Sequence, residues 1–285
     1  MIPEIRNIAV RLAQPDEHIP TIAMAAVDGN ELRGMVHLFR SVVFDGYFNT
    51  DPLVENLTQL AVIVARQSAR ACRMLPGEDV EDADAFGSET ASILLQKIPE
   101  LRRRLGTDVL EVFNNDPAAK SLQEVILCYP AITAITHYRL AHELFLLHVP
   151  ILPRLITEMA HSITGIDIHP GADIGDYFSI DHGTGVVIGE TCIIGNHVRL
   201  YQGVTLGARS FKFDAEGNII NEPRHPILED RVVVYSNSSI LGRIRIGHDS
   251  VVGGNVWQTS DLPPFSRVLQ GRATIVSTFE HGAGI

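Results

Sequence analysis

The sequence predicts an α+β chain: an all-helical N-terminal domain over 1–163, a parallel β-helix of hexapeptide repeats over 164–260, and a C-terminal tail over 261–285. Three observations predict it. Apolar residues in the first 160 or so positions recur three and four apart; from Ile168 aliphatic residues recur six apart; and glycine and small residues keep fixed places within that second pattern.

The helical half comes first. Segments from Glu31 to Phe44, Leu53 to Met74, Ser88 to Leu105 and Ala131 to His148 carry apolar residues at helical spacing, punctuated by Pro, Gly and Asp. In the second segment Leu53, Leu57, Leu60, Val64 and Ala71 form one stripe, with Arg66, Arg70 and Arg73 mostly away from it. The acidic run from Glu78 to Asp84 follows Pro76-Gly77 and is expected to be a solvated linker without chemistry.

In the second half the aliphatic positions fall into three registers. These are Ile168, Ile174, Ile180; then Ile188, Ile194, Leu200, Leu206; then Leu228, Val234, Ile240, Ile246, Val252. With about a quarter of residues Ile, Leu or Val, five consecutive hits arise by chance roughly once in a thousand trials. Small or apolar residues recur four places later, among them Ala172, Cys192, Val198, Ser238 and Ser250. Each hexad therefore supplies a short strand and a turn, and glycine after the aliphatic residue is expected to allow the corners. Twelve hexads, three to a coil, give about four coils of 18 residues. The helices are expected to cover one end of this prism and the segment from Asp261 the other.

Composition removes several function classes. The chain has 285 residues and a net charge of −11 with no long basic run, so nucleic acid is not an expected partner. Cys72, Cys128 and Cys192 are too widely spaced for a disulfide framework or a zinc knuckle, which points to a reducing cytoplasm. No stretch reaches about 18 uninterrupted apolar residues, and the start lacks the order of a signal peptide, so neither a membrane span nor export is expected.

The hexad register breaks twice, and both breaks carry histidine. The first, Ser179-Ile180-Asp181-His182-Gly183-Thr184-Gly185, inserts two residues. The second runs outward from Ala208 to Glu222 and returns through Pro223-Arg224-His225-Pro226, a length more usual in a binding element than in a connector. Asp167 lies 15 residues before His182, slightly less than the assumed coil, so the two are expected on adjacent rungs as a dyad. An imidazole titrates near neutrality and removes a hydroxyl proton, while a carboxylate on its other nitrogen fixes the tautomer. His169, His182 and His197 all fall in the coil region, but their spacing matches no zinc motif, so no metal is expected.

These residues resemble the serine acetyltransferases of cysteine biosynthesis, members of the left-handed β-helix hexapeptide acyltransferases. The resemblance runs from about Asn114 to Gln258. It includes Asn115-Asp116-Pro117-Ala118, Thr136-His137-Tyr138-Arg139, Ile166-Asp167-Ile168-His169-Pro170, the stretch from Ile180 to Thr191, Gln202-Gly203-Val204-Thr205-Leu206-Gly207 and Arg224-His225-Pro226.

The resemblance implies a left-handed β-helix, with His182 as the general base on the hydroxyl of L-serine and Asp167 as its orienting partner. Asp116, Asp181, Arg224 and His225 are implied to bind the amino acid. Gly207, Ala208, Ser236 and Gly254 are implied to line the groove for acetyl-CoA, the co-substrate. It also implies L-cysteine as a feedback inhibitor, a homotrimer or dimer of trimers, and docking of Ile285 into O-acetylserine sulfhydrylase. Two departures stand out. The excursion from Ala208, whose Arg209 and Lys212 could meet CoA phosphates, is longer than in better-known members, and Val251 stands where the family often has lysine. The competing readings are a hexapeptide acetyltransferase acting on a sugar or another hydroxyl, a zinc hydratase, and a catalytically silent regulator.

Overall fold

The computed structural model describes residues 3–14, 18–19, 27–74 and 82–271. By internal contacts the chain divides into one unit of 1–98 with 143–153 and a second of 99–142 with 154–285. This division does not follow the change from helices to coils near residue 164.

In the first unit, α1 (Pro3–Leu12), α2 (Gly29–Val43), α3 (Leu53–Met74) and the start of α4 (Ala83–Asn115) are helical. Asp28 starts α2 by accepting the backbone N–H groups of Asn30 and Glu31 at 2.8 and 3.2 Å. The apolar stripe of α3 holds only in part. Leu60, Val64 and Ala71 are buried, Leu53 is exposed, and Asn56, Gln67 and Ser68 share the buried face. Asn56 bonds Asn49 and Gln67 bonds Glu31, so these side-chain amides are answered inside. Of the acidic run, 78–81 lie outside the described residues. Asp82 is not spacer, because it accepts the N–H groups of Asp84 and Ala85, each at 3.0 Å, at the start of α4, and Asp84 pairs with Arg73.

The second unit holds the rest of α4, which carries Pro99 inside it, then α5 (Leu122–Cys128), most of α6 (Pro130–Leu146), and α7 (Leu152–Thr164). Among the described residues fourteen short strands follow: β1 (Asp167–Ile168), β2 (Asp173–Ile174), β3 (Ser179–Asp181), β4 (Val187–Ile188), β5 (Ile193–Ile194), β6 (Arg199–Tyr201), β7 (Thr205–Gly207), β8 (Ile227–Leu228), β9 (Val233–Val234), β10 (Ser239–Leu241), β11 (Arg245–Ile246), β12 (Val251–Val252), β13 (Trp257–Gln258) and β14 (Arg267–Val268). They build three parallel sheets, β1-β4-β7-β10-β13, β2-β5-β8-β11 and β3-β6-β9-β12-β14. The result is a left-handed parallel β-helix of about five coils, one more than the sequence count gave.

All twelve inward aliphatic positions predicted from the hexads are at most 2% exposed. Each such Ile or Leu contributes about 1.5–3 kcal/mol by leaving water. The glycines work differently from expectation. Left-handed backbone at the corners is taken by Tyr177, His182, His197, Arg231, Asn237, Asp249, Asn255 and Phe265, with φ between 56 and 61°. The glycine after the aliphatic residue instead lets neighbouring coils approach; a Cβ on Gly195, for instance, would lie 2.4 Å from Asp230 Oδ1.

The open edge of the first coil is covered from within its own unit. Arg139 on α6 and Asp108 on α4, 1% and 0% exposed, pair at 2.6 Å. Arg139 also donates to Gly175 O, Asp108 accepts the Phe178 N–H, and Tyr138 Oη donates to Ala172 O. Removing one partner of such a buried pair costs about 3–5 kcal/mol. At the far end the chain beyond 260 continues the coil. Leu262 bridges Ile246, and β14 pairs with β12.

Candidate active site

The sheets meet along edges, and the predicted site residues distribute over two of them. The edge after β3 carries His182, whose corner is followed on later coils by Gln202-Gly203, Ser236-Asn237 and Gly254-Asn255. Gly203 N donates to Thr184 O, Asn237 N to Gln202 O and Asn255 N to Ser236 O. Ser236 and Gly254 therefore stand on the same edge as His182, with room where a Cβ on Gly254 would lie 3.2 Å from Ser236 O.

His182 sits in the left-handed corner at φ 56°, beside Gly183 at φ 90°, so its imidazole projects outward and its side chain is 74% exposed. Its Nε2 lies 3.7 Å from Asp181 Oδ1. Asp181 and Asp116 line one small cavity with Tyr129, Ser179 and Arg199. Asp116 follows the end of α4, where its Oδ1 accepts the Ala118 N–H at 2.8 Å and its Oδ2 accepts the Tyr129 hydroxyl at 2.5 Å. Those two donors, the hydroxyl first, hold its carboxyl below the usual range. The same bond pushes the Tyr129 hydroxyl up to about 12. Ser179 Oγ and Arg199 Nε are buried in this region without a hydrogen-bond partner among the described residues.

The expected dyad is not formed. The two-residue insertion lengthens the first coil to 20 residues, and Asp167 pairs in register with Val187. Among the described residues no hydrogen bond or ion pair joins the two; Asp167 meets Arg154 at 3.9 Å. The 165–167 backbone does lie directly under the His182 corner, since Gly185 N donates to Gly165 O and Asp167 N to Val186 O.

The edge after β7 carries Gly207, Ala208, Arg224 and His225. Here the geometry is tight. The imidazole of His225, 7% exposed, covers Gly189 so closely that a Cβ there would lie 2.3 Å from Nε2. Thr191 pins the turn: its hydroxyl accepts the N–H groups of Arg224 and His225 at 2.9 and 3.1 Å, and its own N–H donates to His225 Nδ1 at 3.1 Å. With Nδ1 accepting, the neutral ring carries its proton on Nε2. Burial, then Arg224, pulls the His225 pKa below its ordinary value, which favours that neutral ring. Arg224 pairs with Glu190 at 2.8 Å.

Three functional neighbours escaped the sequence reading: Tyr129, Glu190 and Thr191. Glu190 and Thr191 stand in the quoted Gly189-Glu190-Thr191, but only the coil register shows what they hold. The three coil histidines considered for zinc go separate ways, with His197 stacked on Tyr177 at 4.3 Å and paired to Glu111 at 3.1 Å. Among the described residues, Glu158, His161 and Asp167 do bring donor atoms within 4.8 Å of one another, next to Arg154. Ile285 lies outside the described residues.

Fold and edge residues together define a hexapeptide-repeat acyltransferase. The chain matches no protein-family model. It is 52% identical over 199 residues to a plasmid-borne serine acetyltransferase of Synechococcus elongatus, covering 70% of this chain and 62% of that protein. It is 43% identical over 175 residues to the serine acetyltransferase of Bacillus subtilis, covering 61% of this chain and 77% of that one. Among solved structures, Entamoeba histolytica serine acetyltransferase 1 in complex with L-cysteine matches 92% of this chain and 94% of its own, at TM-score 0.73 and 31% identity. The chain belongs to the serine acetyltransferase family.

Proposed function

We propose that the protein transfers the acetyl group of acetyl-CoA to the hydroxyl of L-serine, giving O-acetyl-L-serine and CoA, the first step of cysteine biosynthesis. The observation that carries this reading is the complementary chemistry of the two edges. One presents the carboxylates Asp116 and Asp181 beside an exposed imidazole, as an ammonium group and a hydroxyl require. The other presents a guanidinium and a pinned imidazole, as a carboxylate requires.

His182 takes the hydroxyl proton as the serine oxygen attacks the thioester carbonyl in a ternary complex. The tetrahedral oxyanion collapses by breaking the C–S bond, and the CoA thiolate takes the proton back from the imidazolium. Asp167 steers the imidazole in that complex, reached by turning the exposed ring from Asp181 toward the backbone stacked beneath its corner. Ser236 and Gly254 line the pantetheine path on the His182 edge, and Gly207 and Ala208 on the other.

Because Asp116 and Asp181 line a cavity that includes neither Arg224 nor His225, a complete site takes one edge from each of two subunits, in a homotrimer or a dimer of trimers. L-cysteine, which the Entamoeba protein binds, shares the ammonium and carboxylate of serine and would inhibit by filling the same pocket. Docking to O-acetylserine sulfhydrylase rests on the resemblance of the ending at Ile285. Among the described residues no helix is long and apolar enough to cross a membrane.

The test is thiol release from acetyl-CoA by the purified full chain. Turnover with L-serine but not with homoserine or sugars is expected. Turnover with a sugar and none with L-serine would overturn the assignment in favour of a sugar acetyltransferase.

A further inference from the structure

The excursion that leaves the prism after β7 is braced into a two-legged projection. Phe213 bridges Ile219 in antiparallel fashion, Ile220 N donates to Lys212 O at 2.9 Å, and Asp214 Oδ1 accepts the N–H groups of Asn218 and Glu216 at 2.7 and 3.0 Å. Between its two legs and the next turn of the prism lies a cleft of about 260 Å³. Arg209 and Lys212 line it from the outgoing leg, Glu222 and Arg224 from the returning one and Arg243 from the prism, four cations to one carboxylate. The chain as a whole carries a charge of −11, so four cations about one cleft run against the composition.

Their partners show how much positive charge is left over. Lys212 pairs with Glu222 at 2.7 Å, and Arg224 with Glu190 at 2.8 Å. Among the described residues Arg243 donates only to backbone carbonyls, Thr191 O at 2.6 Å and His225 O at 3.0 Å. Arg209 has no hydrogen-bond or ion-pair partner among the described residues. Two guanidinium charges thus face the cleft without a carboxylate, and Arg is the side chain suited to a planar two-point grip on phosphate. The volume lies below the roughly 300–1,000 Å³ of a pocket for a drug-sized ligand, so the cleft takes a group rather than a whole cofactor.

We propose that this cleft is an anion site for a phosphate group, held by Arg209, Lys212 and Arg243 beside the serine-carboxylate arginine. The inference rests on the acetyl-CoA reading only for its source: the group belongs to the acyl donor, or it is free phosphate acting on the enzyme. Calorimetric titration of the full chain with adenosine 3′,5′-bisphosphate and with inorganic phosphate separates the two, read beside the KM values for acetyl-CoA and for S-acetyl-pantetheine, which has no phosphate. The variants are Arg209→Ala, Lys212→Ala and the double variant. Arg267→Ala, on an exposed strand elsewhere, controls for net charge.

The double variant is expected to weaken bisphosphate binding about tenfold or more and to raise the KM for acetyl-CoA while leaving that for S-acetyl-pantetheine unchanged. Loss confined to inorganic phosphate, with both KM values unchanged, supports the site and assigns it to free phosphate. Binding of both anions unaltered in the double variant, or weakened equally by Arg267→Ala, overturns the proposal. The titrations are independent of turnover, so a failure of the serine assignment would show in the acceptor assay and not here.

Discussion

The two edges that carry the site histidines are built in opposite ways. His182 stands exposed on a left-handed corner with its Nε2 3.7 Å from Asp181, while His225 is buried over Gly189 with its Nδ1 and both adjoining backbone N–H groups engaged by Thr191. The pinned ring presents a fixed donor, suited to holding substrate. The free ring can change partner, suited to moving a proton. The difference teaches that the His182 edge is unfinished in one chain: a general base needs an oriented ring, and orientation comes from substrate, from Asp167 or from a neighbouring subunit.

The sharpest way to break this contrast is to remove each ring. His182→Ala is expected to lower kcat by about a hundredfold or more with its sedimentation unchanged, the usual worth of a positioned base. His225→Ala is expected to act mainly on the KM for serine. Equal losses of kcat in both variants would mean that the two edges do not divide the work as their geometry indicates.

A mixing experiment tests whether the edges meet between subunits. His182→Ala and Arg224→Ala proteins, each nearly inactive alone, are dissociated together and reassembled in equal amounts. In a closed trimer about a quarter of the junctions then carry an intact His182 opposite an intact Arg224, and about a quarter of the wild-type rate is expected. No recovery would place both edges of a working site in one chain.

The sequence disclosed what repeats. All twelve inward positions follow from a burial period of six, and the insertion at Ser179 to Gly185 and the excursion from Ala208 show as breaks in it. The capping pattern Ser121-Leu122-Gln123-Glu124 also marked α5, which the helix count passed over; Ser121 Oγ accepts the Glu124 N–H at 3.1 Å. What stayed hidden depends on register across coils of unequal length. Thr191 meets His225 34 residues away because the excursion is inserted between them, and Asp167 comes into register with Val187 because the first coil has 20 residues instead of 18. The Asp108–Arg139 pair was equally invisible, since nothing local in either helix says that two charges will be buried together.

The smallest expected effect concerns Tyr129, whose hydroxyl donates to Asp116 on the looser edge. Its hydroxyl is the first cause of the lowered Asp116 pKa, ahead of the Ala118 N–H and of the charges on His182 and Lys120, while Glu124 and Asp181 act on the hydroxyl itself. A carboxylate held below its ordinary pKa keeps its charge, and so its grip on an ammonium group, to lower pH, and loses it as pH falls through the lowered value. Tyr129→Phe removes the donor and moves that loss upward. At pH 7 Asp116 stays ionised in either protein, so the KM for serine is expected to change little. Toward pH 4, close to the ordinary carboxylate value of 3.8, it is expected to rise more steeply in the variant, with the KM for acetyl-CoA following the wild-type profile. A KM for serine that rises equally at both pH values would mean that the tyrosine only braces the turn after α4 and does not tune the carboxylate.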